Sequence, residues 1–108
     1  MQKIAIITAG GSGSRMGSPI PKQFLLLNQK PLLWYTISAF LEAFRDISII
    51  LVLPQDYMTA GAELVNELQI TNQTTLVVGG STRYHSVQNG IQQIKNHSVV
   101  FVHDGVRC

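Results

Sequence analysis

Short β-branched apolar runs alternate along this chain with stretches whose apolar residues recur at helical spacing. Residues 3–8 form the first run, stopped at Gly10 and Gly11, and read as a buried strand. Residues 9–22 are rich in Gly, Ser and Pro and read as a long loop. A brief apolar run at 24–27 is closed by an Asn28-Gln29-Lys30 turn. Pro31 suits the first turn of a helix. Leu33, Ile37, Phe40, Leu41 and Phe44 follow at helical spacing and predict one buried face. Trp34 and Tyr35, at the start of that helix, read as packing residues rather than base-stacking ones.

Residues 47–53 predict a second strand, ended by Pro54, and Asp56 is placed to cap a helix over about 57–68. Residues 74–78 predict a third strand, ended by Gly79 and Gly80. Val87, Ile91 and Ile94 then mark one face of a further helix. Residues 98–102 predict a fourth strand, with His103-Asp104-Gly105 at its carboxyl end. Strands alternating with helices imply crossover connections, a mainly parallel sheet and the α/β class. Ligands of such sheets bind beyond the carboxyl ends of the strands. Three polar clusters, at 10–22, 79–86 and 103–107, fall there. No repeat, low-complexity tract or linker divides residues 1–108, which read as part of a single domain.

Composition narrows the classes. Hydrophobic residues make up 45% of the 108, which favours a packed core over disorder. The formal net charge of +2 is spread without a dense basic stripe, so a nucleic-acid partner is not expected. Cys108 is the only cysteine, which excludes an internal disulfide, disfavours a structural zinc site and suits a reducing cytoplasm. The opening residues lack the features of a signal peptide, and no run of about 18 apolar residues predicts a membrane span.

The chemistry concentrates in Ala9-Gly10-Gly11-Ser12-Gly13-Ser14-Arg15-Met16-Gly17. Small residues let main-chain N–H groups turn inward and approach an anion closely. Arg15 and Lys22 flank the loop, one with a planar guanidinium fork and the other with a compact point charge. The Walker pattern is absent, because no Gly-Lys-Ser/Thr closes the loop. The dinucleotide fingerprint fails because Met16 stands where its third glycine belongs. Glycines alone would also suit a ligand-free β–α turn; the flanking cations and the two other clusters favour a phosphate site.

Ala9-Gly10-Gly11-x-Gly13-x-Arg15-Met16, followed by Pro21-Lys22-Gln23-Phe24, resembles the signature of the 2-C-methyl-D-erythritol 4-phosphate cytidylyltransferases. Residues 79–87, Gly-Gly-Ser-Thr-Arg-Tyr-His-Ser-Val, resemble that family's second motif, and residues 102–107, Val-His-Asp-Gly-Val-Arg, its third. The resemblance implies a Rossmann-like three-layer sandwich of the nucleotide-diphospho-sugar transferase type. It also implies attack of an acceptor phosphate oxygen on the α-phosphate of CTP, with pyrophosphate leaving. The attacking phosphate is already an anion, so alignment and charge neutralisation are the main tasks.

By motif position the resemblance makes Arg15 and Lys22 the catalytic pair. It places Ala9, Gly10, Gly11, Gly13, Ser14, Gly80, Ser81, Ser86 and Asp104 around the nucleotide, with Asp104 also holding Mg²⁺. Family members often carry an acidic residue where Ser81 stands, so no side-chain role is carried over there. Arg83 reads as a loop bridge, Met16 as a packing anchor, and His103 as a packed histidine without assigned chemistry. A turn or helix-cap reading remains for Asp104, and an ordinary first-turn helix reading for Ser86. The implied partners are CTP and a polyol phosphate, in a cytoplasmic homodimer, with no nucleic acid or membrane.

Ribitol 5-phosphate cytidylyltransferases share the first loop and a similar third motif. Sugar and molybdopterin nucleotidyltransferases share the first loop only. A CTP-binding module without catalysis is a third alternative. The motifs cover the first half of the family domain, whose later half supplies the acceptor site and the dimerisation arm. The expectation is a truncated domain with uncovered apolar surface and sheet edges. The isolated 108 residues are therefore expected to release no pyrophosphate from CTP and acceptor. A coupled pyrophosphate assay on a mass-verified sample checks this, and steady turnover would contradict it.

Overall fold

The computed structural model describes residues 2–9, 22–79, 83–94 and 98–104. Strand β1 (Gln2–Thr8) sets the frame. Ile4 and Ile6 point to one side of the sheet and Ala5 and Ile7 to the other, and all four are buried. A strand buried on both faces reads as a continuous apolar run, which is the pattern of its sequence. Next comes a small hairpin, β2 (Leu26–Leu27) and β3 (Lys30–Pro31). Its turn places Asn28 at φ 52° and Gln29 at φ 69°. Two successive left-handed residues match the twist of a tight hairpin.

Helix α1 covers Leu32–Ala43, with Pro31 outside it as the N-cap. The proline was expected within the first turn, but it pairs with Leu26 in the hairpin and the helix begins one residue later. Leu33 and Ile37 are fully buried, while Phe40, Leu41 and Phe44 pack around them. Trp34 also packs against this core, and the Tyr35 hydroxyl donates to the Leu27 carbonyl at 2.8 Å. Both therefore serve packing, as the sequence suggested.

Strand β4 (Ser48–Leu53) leads to helix α2 (Met58–Glu67). Asp56 does not cap α2. It lies inside a 3-10 turn over Gln55–Tyr57, and Tyr57 is the N-cap without a side-chain cap bond. The bond from Tyr57 N–H to the Pro54 carbonyl, 2.9 Å, closes this extra turn and shifts the helix start past Asp56. Packing of the Tyr57 ring against Phe24, with centroids 4.7 Å apart, holds it there.

Strand β5 (Thr74–Val78), helix α3 (Arg83–Ile91) and strand β6 (Ser98–Asp104) complete the order. Strand β6 runs two residues beyond its expected end. His103 pairs with Ile7 and Asp104 with Thr8, so both lie within the sheet rather than after it.

The four long strands form one parallel sheet in the order β5-β4-β1-β6. Helices α1 and α2 cover one face through Leu33, Ile37, Leu64 and Val65. Helix α3 lies on the other, where Ile4, Ile6, Ile50 and Val52 make a second core. This is the expected three-layer arrangement. The face of α3 differs from the expected one: Ser86 and Gly90 are buried, Ile94 packs beyond the helix end, and Ile91 is 43% exposed. The helix sits too close to the sheet for a larger residue at its centre. Val100 and Val102 are exposed on β6, in keeping with the expectation of uncovered apolar surface.

A Cβ on Gly90 would lie 2.9 Å from Ile6 Cγ2 and 3.2 Å from Val52 Cγ2. Both methyls belong to β-branched side chains fixed in the sheet, so neither can swing aside. Gly90→Val is expected to cost about 2 kcal/mol through overpacking. Urea unfolding followed by circular dichroism checks this; an unchanged midpoint would show that the contact is slack.

Candidate functional site

From β1 the chain moves outward to β4 and β5, then returns to the opposite side of β1 as β6. Strand order therefore reverses between β1 and β6. Connections leaving their carboxyl ends diverge there and open a crevice, the usual ligand position in an open parallel sheet. Thr8 and Asp104 are register partners at that point, and Ala9 follows directly. The start of the glycine loop and the predicted metal-binding aspartate thus meet at one place in the fold, far apart as they are in sequence.

The sheet fixes where two of the loops begin. Ala9 N–H donates to the Val52 carbonyl at 2.9 Å, and Gly79 N–H donates to the Leu53 carbonyl at 2.7 Å. The end of β4 therefore anchors the loops that follow β1 and β5. Ala9 is 3% exposed and Thr8 4%, so this base is packed.

Ser86 lies on α3 and is 2% exposed. A Cβ on Gly79 would stand 2.9 Å from its Oγ, which places Ser86 against the end of β5. Asn89 Nδ2 donates to the Val78 carbonyl at 3.1 Å, a second tie between α3 and that strand end. Buried in this way, Ser86 is more constrained than an ordinary first-turn helix residue.

Lys22 begins a 3-10 turn over Lys22–Phe24, and Phe24 fastens that turn to the main core. The side chains of Lys22, Arg83 and Asp104 lie outside the described residues. Gly10, Gly11, Gly13, Ser14, Arg15, Met16, Gly80 and Ser81 lie outside them altogether. His103 packs its ring edge-on against Phe40, with centroids 6.1 Å apart, in accord with a packed histidine.

Among the described residues no three His, Cys, Asp or Glu side chains cluster as a metal site. Mg²⁺ does not require such a cluster, because it commonly binds through one or two carboxylates plus substrate phosphates. The position of Asp104 beside the loop at the switch point fits that mode.

Sequence reasoning passed over two residues here. Gly79 was read as the end of a strand and the start of a motif, yet it is also the space that admits Ser86. Gln23 was read only as part of a motif, yet its side chain is 1% exposed. Residue type gives no sign of either; both follow from contacts between distant segments.

The sequence profile of 2-C-methyl-D-erythritol 4-phosphate cytidylyltransferase matches residues 3–108. A relative of that name from Azobacteroides pseudotrichonymphae genomovar. CFP2 is 47% identical over 106 residues, covering 98% of this chain and 48% of its own length. Another from Bacteroides thetaiotaomicron is 43% identical over 107 residues, covering 99% and 49%. The crystal structure of 4-diphosphocytidyl-2C-methyl-D-erythritol synthase from Anaerococcus prevotii superposes with a TM-score of 0.76 at 28% identity, covering 98% of this chain and 44% of that one. The inositol-1-phosphate CTP transferase from T. maritima shares the fold, with a TM-score of 0.80 at 19% identity, covering 96% and 43%. The chain thus spans about half the length of the curated relatives it matches.

The contact between Gly79 and Ser86 generates a prediction. Gly79→Ala is expected to cost about 1 kcal/mol by crowding the hydroxyl. In a double-mutant cycle with Ser86→Gly, a coupling of about 0.5–1 kcal/mol should appear. Denaturant unfolding of the four proteins measures it, and strictly additive costs would show that the two residues do not press on each other.

Proposed function

Because the chain belongs to the 2-C-methyl-D-erythritol 4-phosphate cytidylyltransferase family, we propose that the protein carrying it transfers CMP from CTP to 2-C-methyl-D-erythritol 4-phosphate. The acceptor phosphate oxygen bonds to the α-phosphorus of CTP, the bond from that phosphorus to the bridging oxygen breaks, and pyrophosphate leaves. The observation that carries this reading is the switch point itself. Thr8, Ala9 and Asp104 adjoin there, at the carboxyl edge from which the glycine loop departs.

On this reading residues 1–108 are the nucleotide-binding part of a single domain. Main-chain N–H groups of Gly10, Gly11, Gly13 and Ser14 cradle the triphosphate, and Ala9, whose own N–H is held by the Val52 carbonyl, lines the base of that cradle. Gly80, Ser81 and Ser86 surround the cytosine and ribose, Ser81 through its main chain. Arg15 and Lys22 neutralise the charge that builds on the α-phosphate and the departing pyrophosphate. Preorganised cations lower the barrier most when aimed at charge that develops only in the transition state. Asp104 would hold Mg²⁺ against the triphosphate, and the ion would screen the phosphate charges from one another. A homodimer follows from the family resemblance alone. A cytoplasmic setting rests on that resemblance and on the lone cysteine, which suits a reducing compartment.

The test is pyrophosphate release by the full-length protein. CTP should be preferred over ATP, GTP and UTP, and 2-C-methyl-D-erythritol 4-phosphate over ribitol 5-phosphate; the reverse acceptor order would reassign the substrate. Arg15→Ala and Lys22→Ala should each lose at least about 2.7 kcal/mol of transition-state stabilisation, roughly a hundredfold in rate. Near-normal kcat in both variants would remove the assigned roles.

A further inference from the structure

The peptide group joining Val78 to Gly79, where the chain leaves β5, is held at both ends. Its N–H donates to the Leu53 carbonyl on β4 at 2.7 Å. Its carbonyl accepts from Asn89 Nδ2 on α3 at 3.1 Å. A planar trans peptide turns its N–H and C=O to opposite sides. With the N–H committed to β4, the carbonyl faces the outer edge of β5, which no described strand pairs. Water commonly satisfies such an edge carbonyl. Here a side chain 11 residues further along the chain meets it instead. Helix propensity does not account for that side chain, because Asn is a poorer helix former than Ala or Leu. Nor is this the local bond that Asn amides usually make to their own turn; it spans from helix to strand.

A hydrogen bond at a partly exposed edge adds little to stability, since water would take its place. It can still fix an orientation. Held on both sides, the Val78–Gly79 plane resists rotation, and that plane sets the direction in which the chain leaves β5. It also sets the separation of Gly79 from Ser86, whose Oγ would lie 2.9 Å from a Cβ at Gly79. Ser86 and Asn89 stand three residues apart on α3 and so share one side of it. We propose that Asn89 is a positioning residue for the cytosine and ribose part of the site. It fixes the peptide plane from which Gly80 and Ser81 follow, and it holds that strand end against Ser86. Cytosine and uracil differ in the donors and acceptors they present, so main-chain groups that tell them apart must be aimed, and a plane free to turn would aim them poorly. The inference rests on the nucleotide reading above, but concerns a residue to which that reading gives no role.

The experiment compares wild-type full-length protein with Asn89→Leu, which is similar in size, favours the helix and removes the donor. Calorimetry with Mg²⁺ should show the Kd for CTP weakened by about fivefold to tenfold, the scale of one lost orienting hydrogen bond. The preference for CTP over UTP should fall by a similar factor. At saturating CTP, kcat should change by less than about twofold, because Arg15 and Lys22 lie on a different loop. Asn89→Asp, which keeps the shape and puts an acceptor in place of the donor, should behave like Asn89→Leu. A purely structural tie would lower Tm and leave Kd and base preference intact below the melting range, and that result would overturn the proposal. So would a loss of kcat with unchanged Kd, or failure of both variants to fold, which would show that the bond serves the free structure. Wild-type protein that does not bind CTP would overturn the nucleotide reading itself; CTP binding and base preference equal in wild type and Asn89→Leu would overturn only the role of Asn89.

Discussion

Everything in this molecule depends on β1 being hydrogen-bonded on both sides and buried on both faces. It pairs with β4 on one edge and β6 on the other. Ile4, Ile6, Ala5 and Ile7 are 0–6% exposed. The stretch from Ile4 to Ile7 leaves no room for a charged or large polar side chain, so polar chemistry gathers at the strand's ends. The change from Ile7 to Thr8, Ala9 and the glycines marks that exit. The loop needs a fixed base to hold main-chain N–H groups at a useful spacing, and the bond from Ala9 to Val52 supplies one.

The two helical layers meet this sheet in different ways. Helices α1 and α2 interdigitate large side chains with the sheet in a broad core. Helix α3 approaches through Ser86 and Gly90, and its core is smaller. Close approach brings the Ser86 hydroxyl to the end of β5, where a longer side chain on α3 would hold the helix away. The small residues of α3 are thus linked to the proposed role of Ser86 by distance rather than by chemistry. Gly90 weakens the helix by about 1 kcal/mol relative to alanine, and the space it leaves is what permits that distance.

Much of the architecture was legible in the chain. Residues 74–78 were bounded correctly because a β-branched run is followed directly by glycines. The parallel sheet followed from the alternation of short runs with helical spacing, since parallel neighbours require crossovers. The errors were local and had tertiary causes. Asp56 looked like a cap, but packing of Tyr57 on Phe24 and the Pro54 turn moved the helix start. Ile91 looked like a core residue, but the approach of Gly90 to Ile6 and Val52 rotated the buried face away from it. Asp104 was expected just beyond β6, yet register with Thr8 carried the strand through it.

By itself the sequence determined the α/β class, the motif order and the residue types of a phosphate-binding loop, because these depend on local periodicity and spacing. Its three motifs also identified the family. Only the tertiary structure decided that β6 lies beside β1 rather than beyond β5, and so brought Asp104 to Thr8. Strand order is a long-range choice that no local pattern encodes. The burial of Gln23 is likewise a property of the packed fold, since a glutamine in a polar motif reads as exposed until its neighbours close around it.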